Sequence, residues 1–222
     1  MINKLFSSKL FKNIRLTKKT IDYLKDYIIS CEIRGEKQFL YNQLLENKII
    51  LILDGSFSLN LILSSGSQTP LKIYTKKDVI IKNELSSINY NSIFICTKKV
   101  KYISIREDAI RELLPNDPSL LYNYLNIKEE LICHLLNKIE LSQEKNNLVK
   151  ICKYILFETS NLCNNTISLL YTMETLSDVL GMSNSTLYRK LNYLKRHGII
   201  SLNNKTIKVL DMNELQALMT AI

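Results

Sequence analysis

The segment from Ser119 to Ser160 contains neither glycine nor proline, and it restricts the fold of this 222-residue chain more than any other feature. Apolar residues recur in it every three or four positions: Leu121, Leu125, Ile132, Leu135 and Ile139. This period predicts a long amphipathic helix with a polar break at Lys128, capped by Asp117 or Ser119. A second helix follows from about Asn147. The stripe could pack against its own domain, but its length favours a dimerisation surface.

The region from about Gln38 to Ile105 is expected to form β-structure. Its "KIILILDGSFSLNLIL" has two apolar runs around Asp54-Gly55, a pattern that predicts a β-hairpin. The second run alternates, which places four residues on one strand face: Phe57, Leu59, Leu61 and Leu63. The segment "LKIYTKKDVII" predicts another pair of strands. Several short strands with frequent turns are typical of a sandwich or barrel.

The last fifty residues contain two short helices separated by a tight turn. The segment "ETLSDVLG" predicts a helix that ends at Gly181, and "SNSTLYRKLNYLKRHG" predicts a second helix that ends at Gly198. The segment "IISLNNKTIKVLD" predicts a small hairpin that turns at Asn203-Asn204. Two helices joined by a short glycine-containing turn are typical of a helix-turn-helix.

The excess of positive charge indicates an anionic partner. The chain has 30 Lys and Arg against 21 Asp and Glu, which gives a formal net charge of +9. Part of this excess lies in Met1 to Lys25, but the segment from Ser183 to Lys208 is more focused because it contains basic residues and no acid. A solvated helix face would also be charged, but a basic run on a helix-turn-helix followed by a hairpin favours double-stranded DNA as the partner.

The second helix of this motif carries the candidate DNA-binding residues. Ser183 is expected to cap it, and Asn184, Ser185 and Arg189 are placed to meet base edges in the major groove. Lys190, Lys195, Arg196 and Lys205 suit phosphate contacts. The predicted DNA-binding set is Ser183, Asn184, Ser185, Thr186, Tyr188, Arg189, Lys190, Lys195, Arg196 and Lys205.

Composition argues against several other classes. Five scattered cysteines without a CxxC predict neither a disulfide framework nor a zinc site. A cupin-like metal enzyme needs histidine ligands on its strands, but no histidine precedes His134, so no metal site and no enzyme is predicted. The longest apolar run, Ile49 to Leu53, is too short to span a membrane. The N-terminus has no signal-peptide pattern, which predicts a cytoplasmic protein without membrane contact.

The C-terminal pattern resembles the winged helix-turn-helix of the Crp/Fnr family of bacterial transcription regulators. The matching residues are Gly181, Ser183, Thr186, Leu187, Arg189, Leu191, Leu194, Gly198, Ile199 and Ile200. The resemblance implies an α+β fold with an N-terminal double-stranded β-helix (jelly-roll-like) sensor domain at 1–115. A long dimerisation helix at 116–146 and a winged helix-turn-helix at 147–222 would follow.

The resemblance also implies a homodimer that binds a palindromic operator in the cytoplasm, with RNA polymerase as a further partner. Two departures qualify it. Asn184 and Ser185 stand where many members carry an acid, and "KKDVIIKNELSSINYNSIF" keeps Glu84 but lacks the glycine and arginine that hold a cyclic phosphate. We therefore expect no cyclic nucleotide and no cofactor. The alternative is a β-roll module that binds a small molecule and acts through proteins, with a vestigial DNA-binding domain.

Overall fold

The computed structural model describes residues 2–82, 91–96, 98–162, 164–169, 172–203 and 206–220. It divides into two compact units, Met1–His134 and Leu135–Ile222. The predicted acid Glu84, the turn residue Asn204 and the phosphate contact Lys205 lie outside the described residues. Among the described residues, no helix has both the length and the apolar character needed to cross a lipid bilayer.

The first unit is built around two sheets in which every described strand pairing is antiparallel. Its strands are β1 Ile28–Ile33, β2 Lys37–Leu40, β3 Lys48–Asp54, β4 Phe57–Ile62, β5 Gln68–Tyr74, β6 Val79–Ile80, β7 Ser92–Cys96 and β8 Val100–Arg106. One sheet has the order β1-β8-β3-β6, and the other has the order β2-β7-β4-β5. The α-helices of this unit are α1 Lys18–Lys25, α2 Tyr41–Leu44 and α3 Glu107–Leu113, and two 3-10 helices span Ile2–Ser7 and Leu114–Asn116. Helix α4, Pro118–Gln143, begins in this unit and ends in the second.

Strand β3 is buried on both faces, which explains its continuous apolar sequence. Ile50 and Ile52 belong to the core between the two sheets, together with Phe57 of the opposite sheet. Ile49 and Leu51 belong to a second core that contains residues of α1, α3 and α4. A strand covered on both sides needs apolar side chains at successive positions, rather than the alternation of a half-exposed strand.

The predicted β3–β4 hairpin is wrong, because the two strands lie in different sheets. Strand β4 pairs with β5 and β7, while β3 pairs with β6 and β8. Strands β5 and β6 likewise do not pair with each other, so the predicted second pair is also wrong. Gly55 marks a crossing between sheets: its φ is +81°, and a Cβ atom there would lie 2.3 Å from the carbonyl oxygen of Lys99. The chain does turn at Gly55, as the sequence predicts, but it passes there from the sheet that contains β3 to the sheet that contains β4.

The predicted alternation of β4 does not continue past Leu59. Asn60 is buried, and its side-chain oxygen accepts a hydrogen bond from the Ser58 hydroxyl at 2.5 Å. The pairing of β4 with β5 shifts register at this point, because Leu59 lies opposite Lys72 and Asn60 opposite Pro70, which leaves Leu71 of β5 as the extra residue of a β-bulge. Leu61 is only half-buried, and Leu63 lies beyond the strand with 41% of its surface exposed. The prediction that Leu63 shares the inner face is therefore wrong.

Asp117 is the residue that caps α4. Its side-chain oxygen accepts hydrogen bonds from the amides of Ser119 and Leu120, both at 3.0 Å. Pro118 is the first helical residue, where a missing N–H costs nothing. The helix ends at Gln143, and α5, Asn147–Leu162, follows after a short break at which Asn146 caps the new helix. Two successive helices were predicted here and are found.

The second unit packs helices around a small sheet. After α5 it contains β9 Thr166–Ser168, α6 Met173–Leu180, α7 Asn184–Arg196, β10 Ile200–Asn203, β11 Thr206–Val209 and α8 Met212–Thr220. The predicted hairpin is present as β10 and β11, paired from Ile200↔Val209 to Asn203↔Thr206. Strand β9, which the sequence did not predict, pairs with β11 as a third strand. The α+β fold class is confirmed.

Candidate nucleic-acid interface

Helices α6 and α7 are joined by a three-residue turn, Gly181 to Ser183. Gly181 ends α6 with φ of 62°, a left-handed conformation that glycine adopts without steric cost. Its amide donates to the carbonyl of Asp178 at 3.1 Å, and the Met182 amide donates to that of Ser177 at 3.0 Å. Ser183 then caps α7 by accepting a hydrogen bond from the Thr186 amide at 3.2 Å. These hydrogen bonds close the end of α6 and the start of α7 on either side of a sharp turn.

One face of α7 is held in the core of the second unit. Leu187, Leu191 and Leu194 are fully buried, at 0% exposure each. They share a core with the first helix of the motif and with α5. Cys152 of α5 is also fully buried, and burial raises the pKa of its thiol to about 11, which keeps it protonated at neutral pH. This core fixes which side of α7 faces outward.

The opposite face of α7 is polar and exposed. Ser185, Arg189, Asn192 and Arg196 follow one another in steps of four, three and four residues, which places them in one row. Tyr188 flanks this row with 47% of its surface exposed. Asn192 was not among the predicted DNA-binding residues, although its spacing from Ser185 and Arg189 would have identified it.

The remaining predicted residues of α7 are placed as follows. Asn184 is exposed as the first helical residue, and Lys195 and Arg196 are exposed in the last turn. Thr186 and Lys190 are half-buried, and the Thr186 hydroxyl accepts a hydrogen bond from Ser183 at 2.9 Å. The structure therefore brings every described member of the predicted set onto one helix and its cap.

The positive charge of this helix is not neutralised within the described part of the chain. No described carboxylate lies within ion-pair distance of Arg189, Lys190, Lys195 or Arg196, nor of Lys208 on the adjacent strand β11. In the first unit, by contrast, Lys9 pairs with Asp78 at 3.0 Å and with Glu130 at 2.6 Å. A row of unpaired cations attracts anions more strongly than a mixed surface does.

The N-terminus of α7 adds backbone donors to the same surface. The Ser183 side chain accepts from the Thr186 amide, while the amides of Asn184 and Ser185 have no acceptor among the described residues. Unpaired amides at a helix start, together with the positive end of the helix dipole, favour an anion such as phosphate. Ser183 also lies within hydrogen-bond distance of the Ser185 hydroxyl, at 3.0 Å.

The C-terminal end of α7 leads directly into the β-hairpin. Gly198 has φ of 72°, and the Ile199 amide donates to the carbonyl of Leu194 at 3.0 Å, so the helix is closed by hydrogen bonds. His197 packs its ring against Tyr193, with ring centroids 4.1 Å apart. Ile200 is buried and begins the hairpin. The hairpin thereby follows α7 directly and is anchored in the core through Ile200, as a wing is.

Helix α4 carries the predicted dimerisation residues on a largely exposed surface. Their exposed fractions are 38% for Leu121, 55% for Leu125, 58% for Ile132 and 59% for Ile139, while Leu135 is half-buried. The sequence stripe omitted two further exposed apolar residues: Tyr122 at 66% and Leu136 at 60%. Apolar side chains exposed over this length indicate a surface for association.

Comparison with known families and structures identifies this architecture. Residues 149–218, which contain both helices and the hairpin, match the family model described as a Crp-like helix-turn-helix domain. A comparison with curated protein sequences gives no match for the chain.

Solved structures resemble the chain over most of its length. CooA from Carboxydothermus hydrogenoformans, in a doubly substituted form, aligns with a TM-score of 0.72 at 14% identity and covers 93% of each chain. FixK2 from Bradyrhizobium japonicum aligns with a TM-score of 0.69 at 14% identity, over 86% of this chain and 96% of its own. A CRP/FNR family regulator from Thermus thermophilus aligns with a TM-score of 0.58 at 15% identity, over 86% and 98%. Residues 149–218 thus match a Crp-like helix-turn-helix domain, and the chain as a whole shares its fold with solved regulators of the Crp/Fnr type.

Proposed function

We propose that this protein is a sequence-specific DNA-binding transcription regulator of the Crp/Fnr type. The observation that carries the proposal is the arrangement of α7, in which three fully buried leucines hold one face while Ser185 and Arg189 stand on the opposite, exposed face. In helix-turn-helix proteins the corresponding face of the second helix enters the major groove. Such a protein works in the cytoplasm, on the bacterial chromosome, and acts on transcription by RNA polymerase.

Within this proposal, side chains of α7 have two roles. Arg189 suits the O6 and N7 acceptors of guanine, and Asn184 and Ser185 offer hydrogen bonds to base edges nearby. Lys190, Lys195 and Arg196, with the free amides at the helix start, suit the phosphates. The absence of an acid from this face means that the protein lacks the usual acceptor for cytosine N4. We therefore expect an operator that differs from those read through an acidic residue.

The proposed regulator is a homodimer that binds a palindromic operator. Exposed apolar residues along α4, among them Leu125, Ile132 and Ile139, support self-association, because burying them against a second copy removes them from water. Each copy would place one α7 in a half-site, with half-sites about 34 Å apart. A twofold dimer explains why such operators are palindromic.

Arg189→Ala tests the assignment of α7 to base readout. We expect the substitution to weaken binding to the selected operator by about 1–3 kcal/mol and to relax preference at one base pair, because a bidentate contact to guanine is lost. The operator is first obtained by selection from random DNA. Binding is then measured by fluorescence anisotropy on the operator and on variants of each base pair.

Lys195→Ala is the matched control on the same helix. Lys195 is exposed and makes no ion pair with a described residue, so its removal should weaken binding to all sequences alike and reduce the dependence on salt. Unchanged affinity and unchanged base preference in Arg189→Ala would exclude base readout by Arg189. Failure of the wild-type protein to select any sequence would instead favour the alternative, a small-molecule module with a vestigial DNA-binding domain.

The proposed function includes no cyclic nucleotide and no other cofactor. The sequence lacks the glycine and arginine that hold a cyclic phosphate in relatives. Between the two sheets, Phe57 packs edge-on against Phe94 and Tyr102, with centroids 6.2 and 5.8 Å apart, so aromatic rings occupy part of the roll's interior. We expect cyclic AMP to leave the operator affinity unchanged. A gel shift with and without the nucleotide checks this, and a gain in affinity on its addition would refute it.

A further inference from the structure

The exposed surface of α4 follows a heptad pattern. Tyr122, Leu125, Glu129, Ile132, Leu136 and Ile139, named here the α4 seam, are separated alternately by three and four residues. All six are exposed. This spacing keeps side chains in one line along two helices that wind around each other. Within the pattern, Glu129 occupies an a position, where apolar residues normally meet their counterparts.

The polar residue of this surface is Glu129 and not Lys128. The Lys128 ammonium group donates a hydrogen bond to the carbonyl of Lys82 at 2.5 Å and lies 5.6 Å from the ring centre of Tyr124. Lys128 is therefore turned toward its own unit and half-buried. Glu129, one residue later, is exposed and makes no ion pair or hydrogen bond through its side chain with any described residue. The acid points outward in the same line as Leu125 and Ile132.

The order of the units favours a parallel pair of α4 helices. The unit that carries α7 follows α4 in the chain, so parallel helices bring both copies of it to one end. Antiparallel helices would place these units at opposite ends of a helix of 26 residues, which is ~39 Å long. In a parallel pair, each residue at an a position meets the same residue of the other copy. Glu129 then faces Glu129 of the partner subunit.

Among the described residues of α4, no cationic side chain faces these two carboxylates, since Lys128 is turned toward the Lys82 carbonyl. The side chains one turn away on α4 are Leu125, Asn126, Ile132 and Cys133, none of which is cationic. Glu130 is directed elsewhere, since it binds Lys9 at 2.6 Å. The same groups surround Glu129 of the partner subunit. Two like charges at close range between apolar layers repel each other and lose hydration.

We propose that Glu129 meets its counterpart across a parallel α4 pair and that the two carboxylates weaken self-association of the chain. This inference rests on the proposed homodimer and adds a charge-sensitive layer to it. A polar residue at one a position also fixes the register of the helices, at a cost in stability.

The dissociation constant of the dimer of this 222-residue chain tests this directly. Sedimentation equilibrium at pH 7.5 is measured for the wild type, Glu129→Leu, Glu129→Gln and the control Glu130→Gln. Glu130→Gln removes the same charge one residue away from the seam. At pH 7.5 we expect Glu129→Leu to dimerise roughly tenfold more tightly than wild type or more, a gain of about 1.4 kcal/mol. Glu129→Gln should be intermediate, and Glu130→Gln should resemble the wild type.

Equal dissociation constants for the wild type and Glu129→Leu would overturn the inference while leaving the dimer intact. If neither protein associates, the proposed homodimer itself is contradicted, and this inference fails with it.

A disulfide tests the register independently. Glu129→Cys is introduced where Cys31 and Cys133 are replaced by serine, and cross-linked peptides are mapped by mass spectrometry after mild oxidation. A parallel, in-register pair places the two introduced thiols within disulfide reach, whereas an antiparallel pair places residue 129 opposite residue 132. Glu130→Cys in the same background is the control and should not link to itself. A dimer of Glu129→Cys that forms no such cross-link refutes the proposed register.

Discussion

Gly55→Ala is expected to lower the free energy of unfolding of the first unit by about 2–5 kcal/mol. Two effects add. The backbone at Gly55 has φ of +81°, where an alanine costs about 1–2 kcal/mol. The added Cβ atom would also lie 2.3 Å from the carbonyl oxygen of Lys99, and relieving that contact in a packed region costs about 1–3 kcal/mol. The contact is with backbone, so no side-chain rotation can remove it.

Gly66→Ala separates these two effects. Gly66 has the same φ of +81°, but nothing lies within 4 Å of its added Cβ atom, so only the backbone term remains. We expect Gly66→Ala to cost about 1–2 kcal/mol. Native-state hydrogen exchange of peptides from β3 and β8 measures the local stability in both variants. Equal losses would show that the close passage of the chain at Gly55 and Lys99 does not determine the stability of the roll.

Leu191→Ala is expected to lower the free energy of unfolding of the second unit by about 2–5 kcal/mol. Leu191 is fully buried, and truncation leaves a cavity among residues of α5, α6 and the hairpin, which all contribute to this core. Because the same core aims the polar face of α7, we also expect operator affinity to fall. Hydrogen exchange in peptides from α7 measures the stability, and fluorescence anisotropy measures the binding.

Asn192→Ala is the control for Leu191→Ala on the adjacent position. Asn192 is exposed and makes no described side-chain contact, so its effect on unfolding should stay within about 0.5 kcal/mol. If peptides from α7 are equally protected from hydrogen exchange in Leu191→Ala and in Asn192→Ala, the buried leucines do not hold α7 in place. The pair thus distinguishes the packing face of the helix from its exposed face.

The candidate site could be predicted almost entirely from the sequence, because its geometry is local. Ser183, Gly181 and Gly198 carry the signals for the start and end of helices, and each occupies the predicted cap or turn. The three- and four-residue spacing of Leu187, Leu191 and Leu194 determines which side of α7 is buried. Once the buried face is assigned, the residues of the exposed face can be assigned as well. They include Asn192, which was not among the predicted DNA-binding residues.

Strand pairing could not be predicted in the same way. Asp54-Gly55 between two apolar runs has the pattern of a hairpin, yet β3 and β4 belong to different sheets. Turn residues indicate that the chain reverses, but they do not indicate which strands pair with each other. Strand pairing depends on residues that are distant in sequence. The bulge in β5 depends likewise on its pairing with β4, and Leu63, which was expected on the inner face, lies beyond the end of β4 at the surface.

By itself, the sequence determined the helices, their caps and the two faces of α7, because these features depend on residues within one or two helical turns. The tertiary structure decided which strands share a sheet and which residues of α4 face outward. Lys128 and Glu129 illustrate the difference. Either could interrupt an apolar stripe of this period, but the hydrogen bond from Lys128 to the Lys82 carbonyl turns the lysine inward and leaves Glu129 exposed. That choice rests on a contact between residues 46 positions apart, which no local pattern contains.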